Sequence, residues 1–373
     1  MCETRQAFRG RSSGPESACV KLDQDVTRSL SLGVLDQSPV SEGSDGAIAL
    51  RRSVDLAILA DELGYERYWV AEHHGHAMIA GASPEVLIAA IGAHTATIRV
   101  GSGGVMLPHY SPLKVAENFA ALCGLYPGRI DLGLGRAPGS DPQTMFALQR
   151  DRRQVAPDDF PEQLAELLAY LEDDFPPGHP LARLAALPGG LERPQVWLLG
   201  SSPQSGIWAA QLGLPYAFAD FFASSGGAPI ARRYRSEFEP SQRRAEPRVA
   251  IAVAAICAET DAEAQRLASS RRMTAALRHS GRIAPLPPVE KALAFLKAQG
   301  DSAAGHRGTR DIVGSPETVR AGLEEVAEDY EADEVLVVTL TYDHAARRRS
   351  YELIAEVFGL KAGTLAPDPL LAG

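Results

Sequence analysis

Eight short apolar runs, each followed by a stretch with helical spacing, constrain the fold of this chain more than any other feature. The runs cover residues 30–35, 68–71, 98–107, 130–134, 196–199, 216–219, 248–258 and 334–340. They are rich in Val, Ile, Leu and aromatic residues and are largely continuous rather than alternating. Strands of that kind are covered on both faces, as in a parallel sheet flanked by helices. Helical patterns over about 47–63, 84–95 and 113–125, and a last one reaching about 358, separate the runs. Ser83-Pro84 and Ser315-Pro316 place a capping serine before a first-turn proline, which fixes two helix starts. Eight strands alternating with helices, without an internal repeat, predict an α/β fold: a (β/α)8 TIM barrel. An open doubly wound sheet competes, but its usual G-x-G-x-x-G after the first strand is replaced here by DQSPVSEG.

Two gaps are longer than a simple crossover needs, so helical insertions are expected after strands four and seven. The first holds helical patterns at about 141–153 and 161–173 and a Pro/Gly-rich connector to 194. The second holds helices to about 299 and an unpatterned loop at 301–310. Residues 1–29 are polar and mixed in charge, and are expected to form a disordered N-terminal extension before a barrel domain at 30–360 and a tail at 361–373.

Charge excludes some partners. Lys plus Arg number 37 against 47 Asp plus Glu, a net charge of −10, which argues against nucleic-acid or anionic-membrane binding. The run Arg347-Arg348-Arg349 is expected on a solvated helix face. No apolar run approaches the roughly 20 residues of a membrane span. Cys2, Cys19, Cys123 and Cys257 are scattered and form no CxxC, which fits a reducing cytoplasm and neither a zinc site nor a disulfide framework.

In parallel α/β folds ligands bind at the carboxyl ends of the strands. Here those ends are Asp36-Gln37-Ser38, Glu72-His73-His74, Gly103-Gly104, Gly135-Arg136, 200–205, 218–221, Cys257-Ala258 and Tyr342-Asp343-His344. The run Tyr68-Trp69-Val70-Ala71 stops abruptly at Glu72-His73-His74. A histidine there can donate, accept or ligate, and neighbours on a strand point opposite ways, so one of the pair faces the barrel mouth. The plainer alternative is a packed structural histidine. Gly200-Ser201-Ser202-Pro203-Gln204-Ser205 stands between a strand and a helix, where free N–H groups, the positive helix end and hydroxyls suit a phosphate. Arg136 can reach the same phosphate with a planar fork. Otherwise Ser202 caps its helix and Arg136 pairs with an acid. Gly103-Gly104 allows a flat ligand to approach the backbone or an unusual peptide geometry, or else is a bulge. His74-Gly75-His76 with Asp343 is similar to the amidohydrolase metal barrels. That plan also needs histidines ending strands five and six, which are missing, so no metal is expected.

Taken together and in order, WVAEHHG, VGSGGVMLPHYSPLKVAENFAAL, GRIDLGLGR, WLLGSSPQSGIWAAQLGLP, VGSPETV and TYDHAARRRSYEL resemble the bacterial luciferase-like, flavin-dependent monooxygenases, over about 31–358. The likeness is to the single-subunit branch. It implies a barrel holding FMN at its mouth, with His73 as the catalytic histidine and Glu72 and His74 beside it. It further implies Arg136, Ser201, Ser202 and Ser205 at the phosphate and Gly103-Gly104 as a non-proline cis peptide beside the flavin ring. Reduced FMN would come as a co-substrate from a separate NAD(P)H-dependent flavin reductase, and with O2 would oxygenate a small-molecule substrate. Family members commonly form a homodimer. The light-emitting subunit carries a reactive cysteine where this chain has Gly135. The alternatives are a deazaflavin-dependent hydride-transfer oxidoreductase and a non-catalytic flavin-binding protein.

Overall fold

Side chains that alternate across each strand divide the core into two shells, one inside a closed sheet and one between the sheet and its helices. The computed structural model describes residues 30–136, 141–149, 151–153, 158–184, 187–190, 192–223, 226–299 and 310–363. The expected extension at 1–29, most of the loop at 301–310 and residues 364–373 of the tail lie outside them. The elements in chain order begin β1 (Ser31–Asp36), α1 (Gly46–Leu63), β2 (Arg67–Val70), α2 (Pro84–Gly92), β3 (Arg99–Met106), α3 (Pro112–Leu125) and β4 (Ile130–Gly135). After α4 (Pro142–Leu148) and α5 (Phe160–Glu172) come β5 (Gln195–Gly200), α6 (Pro203–Gln211), β6 (Tyr216–Ala219), α7 (Ala228–Ser236) and β7 (Val249–Cys257). The chain ends with α8 (Asp261–His279), α9 (Val289–Gln299), β8 (Asp311–Gly314), α10 (Pro316–Tyr330), β9 (Glu334–Val338) and α11 (His344–Phe358).

All pairings between strands are parallel: β1 to β6 in order, β1 to β9, β9 to β7, and β6 to β7, which completes an eight-stranded TIM barrel. Val34, Tyr68, Val100, Leu132, Leu198, Phe218 and Val337 point outward into the shell packed by the helices. Leu35, Trp69, Trp197, Ala217, Ala252 and Leu336 point inward and fill the barrel. Large and small side chains share that interior, so space remains near the carboxyl ends of the strands.

The amino-terminal end of the barrel is closed by charge. Arg67, wholly buried, donates to Glu334 and Asp131 at 2.5 Å each. Arg99 and Arg248 complete the cluster, on Asp131 at 2.5 Å and Glu334 at 3.0 Å. Trp69 Nε1–H donates to Asp131 at 2.9 Å, and the Arg67 guanidinium sits 5.0 Å from the Trp197 ring centre. Burial alone would pull the Arg67 pKa down, but Glu334 and Asp131 outweigh it and the shift is upward. Gly33 makes this possible: a Cβ there would lie 2.6 Å from Leu336 Cδ2 and 2.8 Å from Arg67 Cγ.

Two expectations need correction. The second insertion carries an unforeseen ninth strand, β8, which pairs with residues 254–257 of β7 while residues 250–254 of β7 pair with β9. The carboxyl half of β7 therefore leaves the barrel. Nor does the arginine run share a solvated face. Arg347 is 2% exposed and pairs with Asp36 at 2.7 Å, whereas Arg348 and Arg349 pair outward with Asp55 and Glu259. Successive helical residues diverge by about 100°, so one of three must face the barrel. Among the described residues no helix is long and apolar enough to cross a membrane.

Candidate active site

A cavity of about 600 Å³ opens at the carboxyl ends of the strands, within the range of small-molecule and cofactor sites. Its floor is the inner shell, with Leu35, Trp69, Ala252 and Leu336. Of the sequence-derived candidates, Glu72, His73, Gly103, Gly104, Arg136, Ser201, Ser202 and Ser205 line it, and His74 does not.

The polar cluster after β2 divides its work. Glu72 is 1% exposed and both its oxygens are engaged: Oε1 accepts from Tyr110 O–H at 2.8 Å and lies 2.6 Å from His74 Nε2, and Oε2 accepts from Met106 N–H at 2.9 Å. A buried carboxylate so engaged ties the β2 loop to the end of β3. His74 turns to Glu72, leaving His73 on the cavity. The His73 backbone N–H donates to Gly81 O at 2.8 Å, which fixes the residue, while its buried Nδ1 meets no hydrogen-bond partner. Burial first, then the neighbouring His76 and His74, push its pKa down to about 4, so the ring is neutral at pH 7. On the neighbouring strand β3, the Gly103-Gly104 peptide is cis, and the β3–β4 register shifts between Ser102 and Val105.

The other wall is a polar cradle. Ser202 stands at the N-cap of α6 yet makes no side-chain capping bond, so its hydroxyl is uncommitted. Ser205 O–H donates to Ser202 O at 3.2 Å, and Pro203 opens the helix. Arg136 is exposed, without an ion pair among the described residues, and its guanidinium lies 5.7 Å from the ring centre of Trp208, which stacks on Phe160. A free planar cation beside free N–H groups and hydroxyls at a helix N-terminus matches a phosphate monoester. An orphaned buried histidine nitrogen across the cavity is a partner for a polar ligand atom. The residues present therefore fit a flavin phosphate with its ring system inside.

The luciferase-like monooxygenase family model matches residues 30–333. The chain belongs to that family. A luciferase-like monooxygenase of Escherichia coli K12 is 41% identical, over 88% of this chain and 97% of the relative. An N-acetyl-S-alkylcysteine monooxygenase of Bacillus subtilis is 38% identical, over 87% and 97%. Among solved structures, apo-MsnO8 is similar at TM-score 0.82 and 42% identity, over 91% of this chain and 99% of that one. At 20% identity and TM-score 0.65, over 91% and 100%, the oxygenating constituent of 3,6-diketocamphane monooxygenase, solved with FMN, shares the fold. This luciferase-like monooxygenase is thus a flavin-dependent oxidoreductase that incorporates oxygen.

Several site features of this luciferase-like monooxygenase were beyond sequence reasoning. Tyr110, which holds Glu72, and Trp208, which carries Arg136, sit at spacings that signal only helix or loop. Arg271, Arg278 and Arg282, from α8 and the segment after it, line the rim. Conversely, two strand ends expected at the mouth are absent from the cavity lining. Cys257 is buried, its N–H donating to Ser350 Oγ at 2.9 Å, because β7 has turned toward β8. Asp343 caps α11 and His344 lies 2.7 Å from Asp55, outside the barrel. Asp36 likewise faces the helix shell, bonded to Tyr68 at 2.6 Å, while Gln37 lines the cavity.

Proposed function

We propose that this luciferase-like monooxygenase binds reduced FMN, supplied by a separate NAD(P)H-dependent flavin reductase, and uses it with O2 to oxygenate a small organic substrate. The observation that carries this reading is one cavity with a phosphate cradle at Arg136, Ser202 and α6 on one wall and the partnerless His73 Nδ1 on the other. Bound reduced flavin supplies the two electrons that let one atom of O2 enter the substrate while the other leaves as water. The chain's own residues do the rest. Arg136 and the α6 N–H groups hold the phosphate, with Ser201, Ser202 and Ser205 around it. The inner shell excludes water from the reacting atoms, and Gly103-Gly104 gives the ring a wall without side chains. Glu72 fixes the loop that carries His73, and neutral His73 accepts or donates a proton at its free nitrogen.

Anaerobic titration tests the reading, with reduced and oxidised FMN and both states of a deazaflavin coenzyme as ligands. The expected result is preference for reduced FMN, weakened tenfold or more by Arg136→Ala, since a charge-assisted hydrogen bond contributes about 1.5–3 kcal/mol. A Ser202→Ala/Ser205→Ala variant should weaken binding in the same direction. Preference for the deazaflavin would make this a hydride-transfer enzyme, and absence of binding would overturn the phosphate cradle. A homodimer is part of the proposal, supported by Val86 and Leu125, which stand 67% and 64% exposed on α2 and α3. Sedimentation velocity decides it. The buried free thiols Cys123 and Cys257 support a reducing, cytoplasmic setting.

A further inference from the structure

The whole chain is acidic, at −10, yet among the described residues the cavity is lined by four arginines, Arg136, Arg271, Arg278 and Arg282, against one carboxylate, Glu72. Glu72 is fully engaged by Tyr110, His74 and Met106. Arg136 belongs to the phosphate cradle. Arg271 pairs with Asp311 at the start of β8 and donates to Phe221 O at 3.3 Å. Two cations are left over. Arg278, in the last turn of α8, and Arg282, three residues beyond that helix, are exposed, and among the described residues neither makes an ion pair or a side-chain hydrogen bond.

Apolar side chains stand beside them, with His76 close enough to Arg278 for the guanidinium to help lower the imidazole pKa, second to burial. Ile283 is 52% exposed and Phe222 47%, both on the cavity, and Met78 and Ile79 line it from the loop after β2. Large apolar side chains standing open beside unpaired charge mark a binding surface rather than a solvated one. The segment is also anchored, because Leu286 N–H donates to Val40 O at 2.9 Å and Glu42 N–H to Leu286 O at 2.7 Å. The arginines therefore sit on a pinned stretch at the rim. A cation in the last turn suits the negative end of α8, which accounts for Arg278 but not for Arg282 or the exposed apolar pair.

We infer that Arg278 and Arg282 form a subsite for the anionic head group of the organic substrate, whose apolar body runs inward past Ile283, Phe222 and Met78. The inference rests on the flavin reading of the same cavity, since it assigns Arg136 and the α6 end to the cofactor and the α8 end to the substrate. Guanidinium forks take a carboxylate or a sulfonate alike through paired N–H donors. The substrate is then an amphiphilic organic anion, and the oxygenated position lies away from its charged end, toward the floor.

Calorimetric titration of the anaerobic protein loaded with reduced FMN tests this, with octanoate, octane-1-sulfonate and uncharged methyl octanoate as probes. At least one anion should bind tenfold or more tighter than the ester, and the better of the two names the head group. In an Arg278→Ala/Arg282→Ala variant that preference should vanish, with ester and reduced-FMN affinities unchanged. The inference is overturned if the ester binds as tightly as both anions, if the preference survives the double substitution, or if no probe binds. Loss of reduced-FMN affinity in the variant also overturns it, by placing these arginines on the cofactor. Failure of the unsubstituted protein to bind reduced FMN is a failure of the flavin reading alone, and the same probes on the flavin-free protein still decide the subsite.

Discussion

A neutral imidazole offers one donor and one acceptor, and His73 keeps one of its nitrogens clear of every protein partner. With its pKa pushed down to about 4, the ring does not titrate across the physiological range in the proton-transfer role proposed for it. His73→Ala should lower turnover by about 10²- to 10⁴-fold, the usual contribution of a positioned acid or base, with reduced-FMN affinity largely retained. In the unsubstituted enzyme, the single-turnover rate should stay flat from pH 8 to about pH 5.5 with respect to this group. A His73-dependent inflection near 6.5 would show instead that the ring is solvated in the working enzyme.

At the scale of elements, the link between β1 and α11 carries a buried ion pair. Asp36 accepts from Arg347 at 2.7 Å and from Tyr68 at 2.6 Å, between the barrel wall and the last helix. Removing one partner leaves the other charged and buried, so Arg347→Ala should cost about 3–5 kcal/mol in denaturant unfolding. The double variant Asp36→Ala/Arg347→Ala should cost clearly less than the two single changes together, and simple additivity would show that the pair is not coupled. This pair also marks where sequence reasoning stopped. The strand–helix alternation was legible because period and length are local properties, and the polar strand ends followed from it. Which of three adjacent arginines turns inward is decided by a carboxylate 311 residues away in sequence, and no local pattern records that. The four residues of β8 follow an unpatterned stretch and owe their conformation to β7. Arg67 and Glu334 carry no local signal of their pairing, and only closure of the barrel, with Gly33 leaving room, brings them together. At the site, strand ends and a loop–helix junction were readable, whereas Tyr110, Trp208 and the α8 arginines reach the cavity through tertiary packing.

For the whole molecule, the same buried groups set the response to acid. The unfolded chain protonates His73 near 6.5 and the native chain only near 4, so between those values the unfolded state binds more protons. Stability should therefore fall as pH falls through that window, by about 3 kcal/mol from this residue, and His73→Gln should flatten the slope. Asp36 acts lower. Burial opposes its charge, but Arg347, Ser53 and Tyr68 hold its pKa below the ordinary 3.8, so its contribution is present above that value and is lost only in stronger acid. Urea unfolding at a series of pH values separates the two windows.

The charged cluster around Arg67 has a kinetic meaning as well as a structural one. With Arg67, Asp131, Glu334, Trp69 and Trp197 all without solvent exposure, nothing passes through the amino-terminal end of the barrel. Cofactor and substrate must then use the same doorway, and whichever reaches the floor first is shut in by the second. On the proposed flavin reading, binding would become a queue, with flavin entering ahead of substrate and product leaving ahead of spent flavin. Substrate that jumps the queue bars the flavin, so velocity should rise and then decline as substrate is raised at fixed reduced FMN, and extra flavin should relieve the decline.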